Sequence, residues 1–159
     1  MIVGIHQPHY FPWMGYFDKM AKSDCFILLD DVQLEKGSFM YRNRILNTRG
    51  EIAYLTISGD KHGFLECSYK DLNSTNDAVF LEKHCRELER AYGESPYFDE
   101  VWDAVKDLFE TQEQTICNYC IRSIVRIKEL LDIPTAMLIQ SDLPKDPSKH
   151  KNDLVLSLC

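Results

Sequence analysis

Residues 2–31, IVGIHQPHYFPWMGYFDKMAKSDCFILLDD, decide the fold. The apolar run at 2–5 predicts a short buried strand, and the run at 25–29 predicts a second one. Met14–Ala21, between these runs, predicts a short helix. A strand–helix–strand unit of this length places its two strands parallel in one sheet, with a right-handed crossover. The stretch therefore predicts an α/β fold.

The sequence after this unit predicts a hairpin and then helices. Alternating side chains at 41–46 and 51–57, joined by a polar turn, predict a β-hairpin insertion over residues 40–57. The apolar spacing becomes helical from 77 to 131, and 135–139 predicts another buried strand. We expect a Rossmann-like, three-layer α/β core with a mainly parallel sheet, a β-hairpin insertion and a helical segment.

The chain length predicts one domain, because 159 residues, 45% of them hydrophobic, can bury one core. After the hairpin, 58–63 predicts a loop and 65–69 is a candidate short strand. An apolar helical pattern at 153–159 stops within its hydrophobic run. We therefore interpret residues 1–159 as a single domain truncated at its C-terminus.

The distribution of charge points to a small anion as ligand. The net charge of −7 argues against general nucleic-acid binding, which requires a basic face. Residues 36–50 nevertheless carry Lys36, Arg42, Arg44 and Arg49 and no acidic residue. This basic segment favours binding of a phosphate or a carboxylate. The alternative is that these cations pair with nearby acids or lie in water.

The cysteines indicate a reducing compartment. The six are Cys25, Cys67, Cys85, Cys117, Cys120 and Cys159. The first residues show no secretory signal, and no apolar run reaches the length of a membrane span, so we expect a cytoplasmic protein with reduced thiols. The CxxC at 117–120 lies inside a helical pattern without a second pair, which favours core or surface cysteines over a zinc or redox site.

The first loop is the leading candidate for the functional site. His6, Gln7, His9, Tyr10 and Trp13 lie between a predicted strand and a predicted helix, in a segment stiffened by two prolines. In parallel α/β folds, ligands bind beyond the carboxyl ends of the strands. Imidazoles can move protons near neutral pH, and aromatic rings can stack on a ligand. Alternatively, the aromatic residues cap the core and His6 is a buried histidine with a structural partner.

Two further sets of side chains are expected at the same sheet edge. Asp30 and Asp31 follow the second strand and can bind a sugar hydroxyl, hold a metal ion or act as a base. Alternatively, they form a helix cap or a salt bridge. In the run Tyr41-Arg42-Asn43-Arg44, alternation places both arginines on one face, where they can clamp one anion or simply face solvent.

The sequence resembles the WbqC-like protein family along most of its length. The motifs that carry the resemblance are IHQP at 5–8, YFPWMGYF at 10–17, SD at 23–24, LDDVQ at 29–33, RNRI at 42–45, LDIPT at 131–135 and SDL at 141–143. Family members look longer than this chain. The positions carried over by the family pattern are His6, Gln7, Pro8, Pro12, Trp13, Gly15, Asp30, Asp31, Asn43 and Arg44.

The resemblance implies a role in assembly of surface polysaccharide such as O-antigen. It implies an enzyme acting on a phosphorylated or nucleotide-linked sugar, with transfer of an acyl or aminoacyl group as the expected reaction. A looser similarity concerns His6-Gln7-Pro8-His9, which has the spacing of the HxGH motif of nucleotidylyltransferases. Proline replaces the glycine of that motif and cannot donate an N–H to phosphate.

These observations give one expectation with two rivals. His6 with Asp30 or Asp31 would be catalytic, and the substrate would contact Gln7, His9, Tyr10, Trp13, Tyr41, Arg42, Asn43 and Arg44. The sequence names no cofactor and no metal site, and it leaves the oligomeric state open. The rivals are a non-catalytic module that binds a sugar nucleotide and an enzyme related to nucleotidyltransferases.

Overall fold

The computed structural model describes residues 1–60, 67–144, 148–149 and 151–158. Strand β1 (Val3–His6), helix α1 (Met14–Ala21) and strand β2 (Cys25–Leu28) form the first unit. The two strands are parallel, with Val3 opposite Cys25 and His6 opposite Leu28. The predicted strand–helix–strand unit is therefore confirmed.

A third parallel strand completes this sheet from the far end of the chain. Strand β5 (Ala136–Ile139) pairs with β2, which gives the strand order β1-β2-β5. The hairpin forms a second, separate sheet from the antiparallel strands β3 (Arg42–Leu46) and β4 (Ile52–Thr56). The mixed α/β class and the hairpin are confirmed, and the hairpin strands are slightly shorter than predicted.

The Rossmann-like three-layer arrangement is not found in the described residues. Helix α1 and helix α5 (Ile116–Leu130) supply side chains to the same hydrophobic cluster on one face of the three-stranded sheet. On the other face, Leu138 is 41% exposed. Leu81 of the helical segment belongs to the same hydrophobic cluster as Leu55 of the hairpin, so this part of the segment lies against the hairpin sheet.

Between the hairpin and β5, the residues that the structure describes contain four α-helices. Helix α2 (Ala78–Tyr92) is capped by Asp77, whose carboxylate accepts a hydrogen bond from Phe80 N at 2.8 Å. The remaining helices are α3 (Phe98–Val105), α4 (Asp107–Glu110) and α5, and the helix α6 (Lys151–Leu158) follows β5. Of the candidate strand at 65–69, residues 65–66 lie outside the described residues, and Tyr69–Asp71 forms a 3-10 turn.

Helix α5 joins two hydrophobic clusters. The hairpin cluster comprises Tyr10, Leu34, Met40, Leu55, Ile57, Tyr69, Leu72, Leu81, Ile116, Cys117, Tyr119 and Cys120. The sheet cluster comprises Tyr16, Phe17, Met20, Phe26, Leu28, Ile124 and Ile133. The two cysteines of the CxxC are buried free thiols on α5, as the sequence predicted for core cysteines. No helix in the described part of the chain is long and apolar enough to cross a membrane.

Candidate functional site

The loop at residues 7–13 leaves the carboxyl end of β1 and runs against the segment that leads into the hairpin. Tyr10 N donates a hydrogen bond to Phe39 O at 3.0 Å. The hydroxyl of Tyr69 lies 3.3 Å from the carbonyl oxygen of Pro8 and 2.5 Å from that of Met40. The loop is thus attached to both the sheet and the hairpin, and the space between them forms the candidate site.

A strained residue at the middle of this loop is held by three contacts. Phe11 has φ +45°, a left-handed conformation that costs an L-residue about 1–2 kcal/mol. Its N–H donates to Ser123 Oγ at 3.2 Å, and its ring stacks on Phe109 with centroids 5.5 Å apart. Asn43 Nδ2 donates to the carbonyl oxygens of Tyr10 and Phe11. These contacts fix the loop in advance of any ligand.

A partly open cavity of about 360 Å³ lies between the loop and the hairpin. It is lined by His9, Pro12, Trp13, Phe39, Asn43 and Arg44. Its volume is in the range of small-molecule pockets. Four of the predicted substrate contacts line it, together with Pro12 and Phe39. Phe39 was not predicted, because a single aromatic residue in a loop carries no sequence signal.

Trp13 forms one wall of the cavity and is 70% exposed. Its ring lies back over the first turn of α1, where a Cβ added to Gly15 would come within 2.1 Å of the indole carbons. Glycine at position 15 is therefore required for this position of the indole. The arrangement explains why tryptophan and glycine occur together in the motif WMG.

The two arginines of β3 lie on one face, as predicted, but have different surroundings. Arg42 donates from Nη2 to Gly37 O at 2.6 Å and lies over the Tyr54 ring at 4.5 Å. Arg44 is exposed and lies over the Phe39 ring at 5.2 Å. Across the described ranges, neither guanidinium pairs with a carboxylate. Only Arg44 lines the cavity, so the predicted clamp of both arginines on one anion is replaced by a single cation.

The histidines of the loop contact each other. The rings of His6 and His9 meet edge to face with centroids 4.6 Å apart, and the Tyr16 ring lies 4.9 Å from His6. Burial lowers the pKa of His9 to about 4, with the neighbouring His6 as a smaller cause. Burial also lowers the pKa of His6. Both imidazoles are therefore uncharged at neutral pH, and the buried His9 Nδ1 has no hydrogen-bond partner among the residues that the structure describes.

The two aspartates do not join the histidines. Asp30 is 3% exposed, and its carboxylate accepts hydrogen bonds from Ser141 N at 2.9 Å and Ser141 Oγ at 2.6 Å. Asp31 accepts from Ser68 Oγ at 2.8 Å and lies 3.8 Å from Lys70 Nζ. The predicted pairing of His6 with an aspartate is absent, because the carboxylates bond segments that follow later in the chain.

Three other predicted contacts have structural partners. Tyr10 is 4% exposed, and its hydroxyl lies 3.3 Å from His84 Nδ1, so its ring cannot stack on a ligand from solvent. The hydroxyl of Tyr41 accepts from Gly37 N at 2.9 Å. The main-chain carbonyl oxygen of Gln7 accepts from the Tyr16 hydroxyl at 3.2 Å, and the Gln7 side chain does not line the cavity. No group of three metal-ligating side chains occurs among the residues that the structure describes.

The structure defines a mixed α/β domain. A cavity lined by aromatic side chains and by the guanidinium of Arg44 lies at the carboxyl end of its first strand. The chain belongs to the WbqC-like protein family, whose sequence model matches residues 7–159. It is 31% identical over 158 residues to the uncharacterized protein Rv1507c of Mycobacterium tuberculosis. That alignment covers 99% of this chain and 67% of Rv1507c. No solved structure matches.

Proposed function

We propose that this protein is a cytoplasmic enzyme of surface-polysaccharide biosynthesis that binds a phosphorylated or nucleotide-linked sugar in the cavity. In this proposal it transfers an acyl or aminoacyl group to an amine of the sugar. The WbqC-like family is associated with O-antigen biosynthesis, which supports the substrate class.

The observation that carries the proposal is the convergence of Arg44, Trp13 and His9 on one cavity. The planar guanidinium of Arg44 can bind two phosphate oxygens at once, and no carboxylate in the described ranges competes for it. The exposed indole of Trp13 offers an apolar face on which a sugar ring or a base can stack. A sugar phosphate presents an anion, a ring and hydrogen-bonding hydroxyl groups, which match these three side chains.

His9 takes the proton-handling role that the sequence suggested for His6. The sugar amine would attack the acyl carbonyl carbon, forming the C–N bond as the bond to the leaving group breaks. The amine proton would pass to the imidazole of His9, which lines the cavity, and then to the leaving group. Burial lowers the pKa of His9 to about 4, which makes its imidazole a weak base. A phosphate bound at Arg44 places negative charge near the imidazole and raises its pKa, which makes it a better base.

The direct experiment is calorimetric titration of the protein with a set of nucleotide-linked amino sugars. Trp13→Ala and Arg44→Gln should each weaken binding of the best ligand about tenfold or more, since each removes a ring contact or a charge-assisted pair. Arg49→Gln, an exposed arginine in the turn of the same hairpin, is the matched control and should bind normally. Equal loss in Arg49→Gln, or no binding by any member of the set, refutes the proposal.

A non-catalytic binding module is the second candidate, and one observation favours it. The cavity lining contains no carboxylate, and His9 and Arg44 are its only charged or proton-active side chains among the described residues. His9→Asn separates the two functions. In an enzyme this variant binds the sugar but forms no acylated product. In a binding module neither the wild type nor the variant forms product. Magnesium-dependent release of pyrophosphate would instead indicate nucleotidyl transfer.

A further inference from the structure

The outward face of the hairpin carries exposed apolar side chains beside the cavity. In the register of β3 and β4, Arg42 lies opposite Thr56, Arg44 opposite Tyr54, and Leu46 opposite Ile52. Cross-strand partners share a face, so these six residues form one surface, named here the outward hairpin face. The alternate residues, including buried Leu55, point into the hairpin cluster.

Three large apolar side chains on this face are exposed to solvent. Leu46 is 51% exposed, Ile52 is 61% exposed and Tyr54 is 47% exposed. These side chains are neighbours on one surface and continue to Arg44 at the cavity. Contiguous apolar side chains rimmed by charge are typical of sites where proteins interact.

The charge on this face selects an acidic partner. The whole chain has a net charge of −7, whereas residues 36–50 contain four cations and no acid. Arg42 is oriented by Gly37 and Tyr54, and neither it nor Arg44 is paired with a carboxylate across the described ranges. An acidic molecule is therefore repelled by most of the protein and steered to this face.

We propose that the outward hairpin face docks an acidic amphipathic helix of a partner protein. Apolar side chains of that helix pack on Leu46, Ile52 and Tyr54, and its carboxylates pair with Arg42 and Arg44. A five-residue strand is about 17 Å long, which matches roughly three turns of helix. The docking site adjoins the cavity at Arg44, so a helix carboxylate and a phosphate in the cavity would compete for that guanidinium, whereas Arg42 lies outside the cavity and stays available to the helix.

Two other occupants fit this face less well. A second copy docked by a two-fold axis brings the same six side chains, which include two arginines and no acidic residue, so it supplies no carboxylate to pair with Arg42 or Arg44. An anionic membrane is bound by clusters of four to eight basic residues close to its surface. The hairpin turn carries one cation, Arg49, and is followed by Glu51, so it brings no net charge to a membrane.

The test uses a fluorescein-labelled peptide of Glu and Leu at helical spacing, with a scrambled peptide of the same composition. Fluorescence anisotropy measures binding to the full chain. The double variant Leu46→Thr with Ile52→Thr should bind the helical peptide about tenfold more weakly. The control variant combines Val79→Thr on α2 with Val101→Thr on α3. Both valines are exposed and lie outside the hairpin, so this variant should bind the peptide as the wild type does. The single variant Ile52→Glu should bind the helical peptide more weakly than the double variant does, because the new carboxylate repels the glutamates of the peptide.

Several results would overturn the proposal. These are no saturable binding by the wild type, equal binding of the scrambled peptide, or equal loss in the control variant. Binding to anionic vesicles that the hairpin variants abolish, without peptide binding, would assign the face to a membrane. A dimer in sedimentation that the hairpin variants dissociate would assign it to a second copy. Because Leu46 and Ile52 do not line the cavity, sugar binding should persist in the hairpin variants, which separates this test from that of the proposed function.

Discussion

The side-chain amide of Asn43 donates a hydrogen bond to the carbonyl oxygen of Phe11, the residue that the loop holds at φ +45°. The same amide also donates to the carbonyl of Tyr10, and its oxygen accepts from Arg44 N at 2.7 Å. One polar side chain on β3 thus fixes the loop on one side of the cavity and the cation on the other. This relationship sets the geometry on which ligand binding depends.

Replacing Asn43 with alanine should destabilise the protein by about 1–3 kcal/mol, because the loop carbonyls lose their donor while Phe11 keeps its strained conformation. Urea unfolding measures the change. Asn118→Ala, an exposed asparagine on α5, is the matched control and should leave the unfolding midpoint nearly unchanged. A loss of stability no larger than that of the control would show that Asn43 does not hold the loop.

Gly15→Ala should displace the Trp13 indole without unfolding the protein. The added Cβ would come within 2.1 Å of ring carbons, and the exposed ring can rotate away from it. Helix α1 gains up to about 1 kcal/mol because alanine favours the helical state. In a Trp102→Phe background, the fluorescence spectrum of Trp13 should change while the melting temperature holds or rises. An unchanged spectrum would contradict the observed position of the ring.

Stability should fall as the pH is lowered from about 6.5 to about 4. The pKa values of His9 and His84 are each lowered from 6.5 to about 4, mainly by burial. In that interval the unfolded chain binds protons that the folded chain excludes, so the stabilisation present above pH 6.5 is lost progressively. Urea unfolding at several pH values measures the decrease in the free energy of unfolding. NMR titration of the imidazole nitrogens measures the pKa values of His9 and His84. A His9 pKa at or above 6.5 would contradict the prediction.

Asp30→Ala should destabilise the protein without weakening ligand binding. The carboxylate is buried and accepts hydrogen bonds from Ser141, which lies in the 3-10 turn after β5, so its loss should cost about 1–3 kcal/mol. Asp103→Ala, an exposed aspartate on α3, is the matched control and should change stability little. Because Asp30 does not line the cavity, calorimetry should give an unchanged affinity for the sugar ligand. A large loss of affinity in a folded Asp30→Ala protein would show that Asp30 acts in ligand binding and would contradict the prediction.

Local features of the fold could be predicted because local patterns determine them. The bounds of α1 agree with the prediction, and the alternation of apolar side chains identified the hairpin. The layer arrangement could not be predicted in this way. Whether α2 covers the parallel sheet or the hairpin depends on contacts such as that of Leu81 with Leu55, which are distant in sequence.

The location of the candidate site could be predicted more readily than the roles of its residues. The loop after β1 was identified by its position and its unusual composition. The sequence placed His6 and an aspartate together, but the carboxylate of Asp30 is taken by Ser141, 111 positions away. The left-handed conformation of Phe11 leaves no mark in the sequence, since neither glycine nor asparagine occupies the position.

The cavity lies between two sheets that share no backbone ladder in the described residues, and this has a consequence for local stability. His9 and Trp13 belong to the unit that carries β1, whereas Asn43 and Arg44 belong to the hairpin. A molecule bound by both sides links the two units and stabilises the folded hairpin against local unfolding. Amide hydrogens of β3 and β4 should therefore exchange with deuterium more slowly as ligand concentration rises, and Arg44→Gln should abolish that slowing.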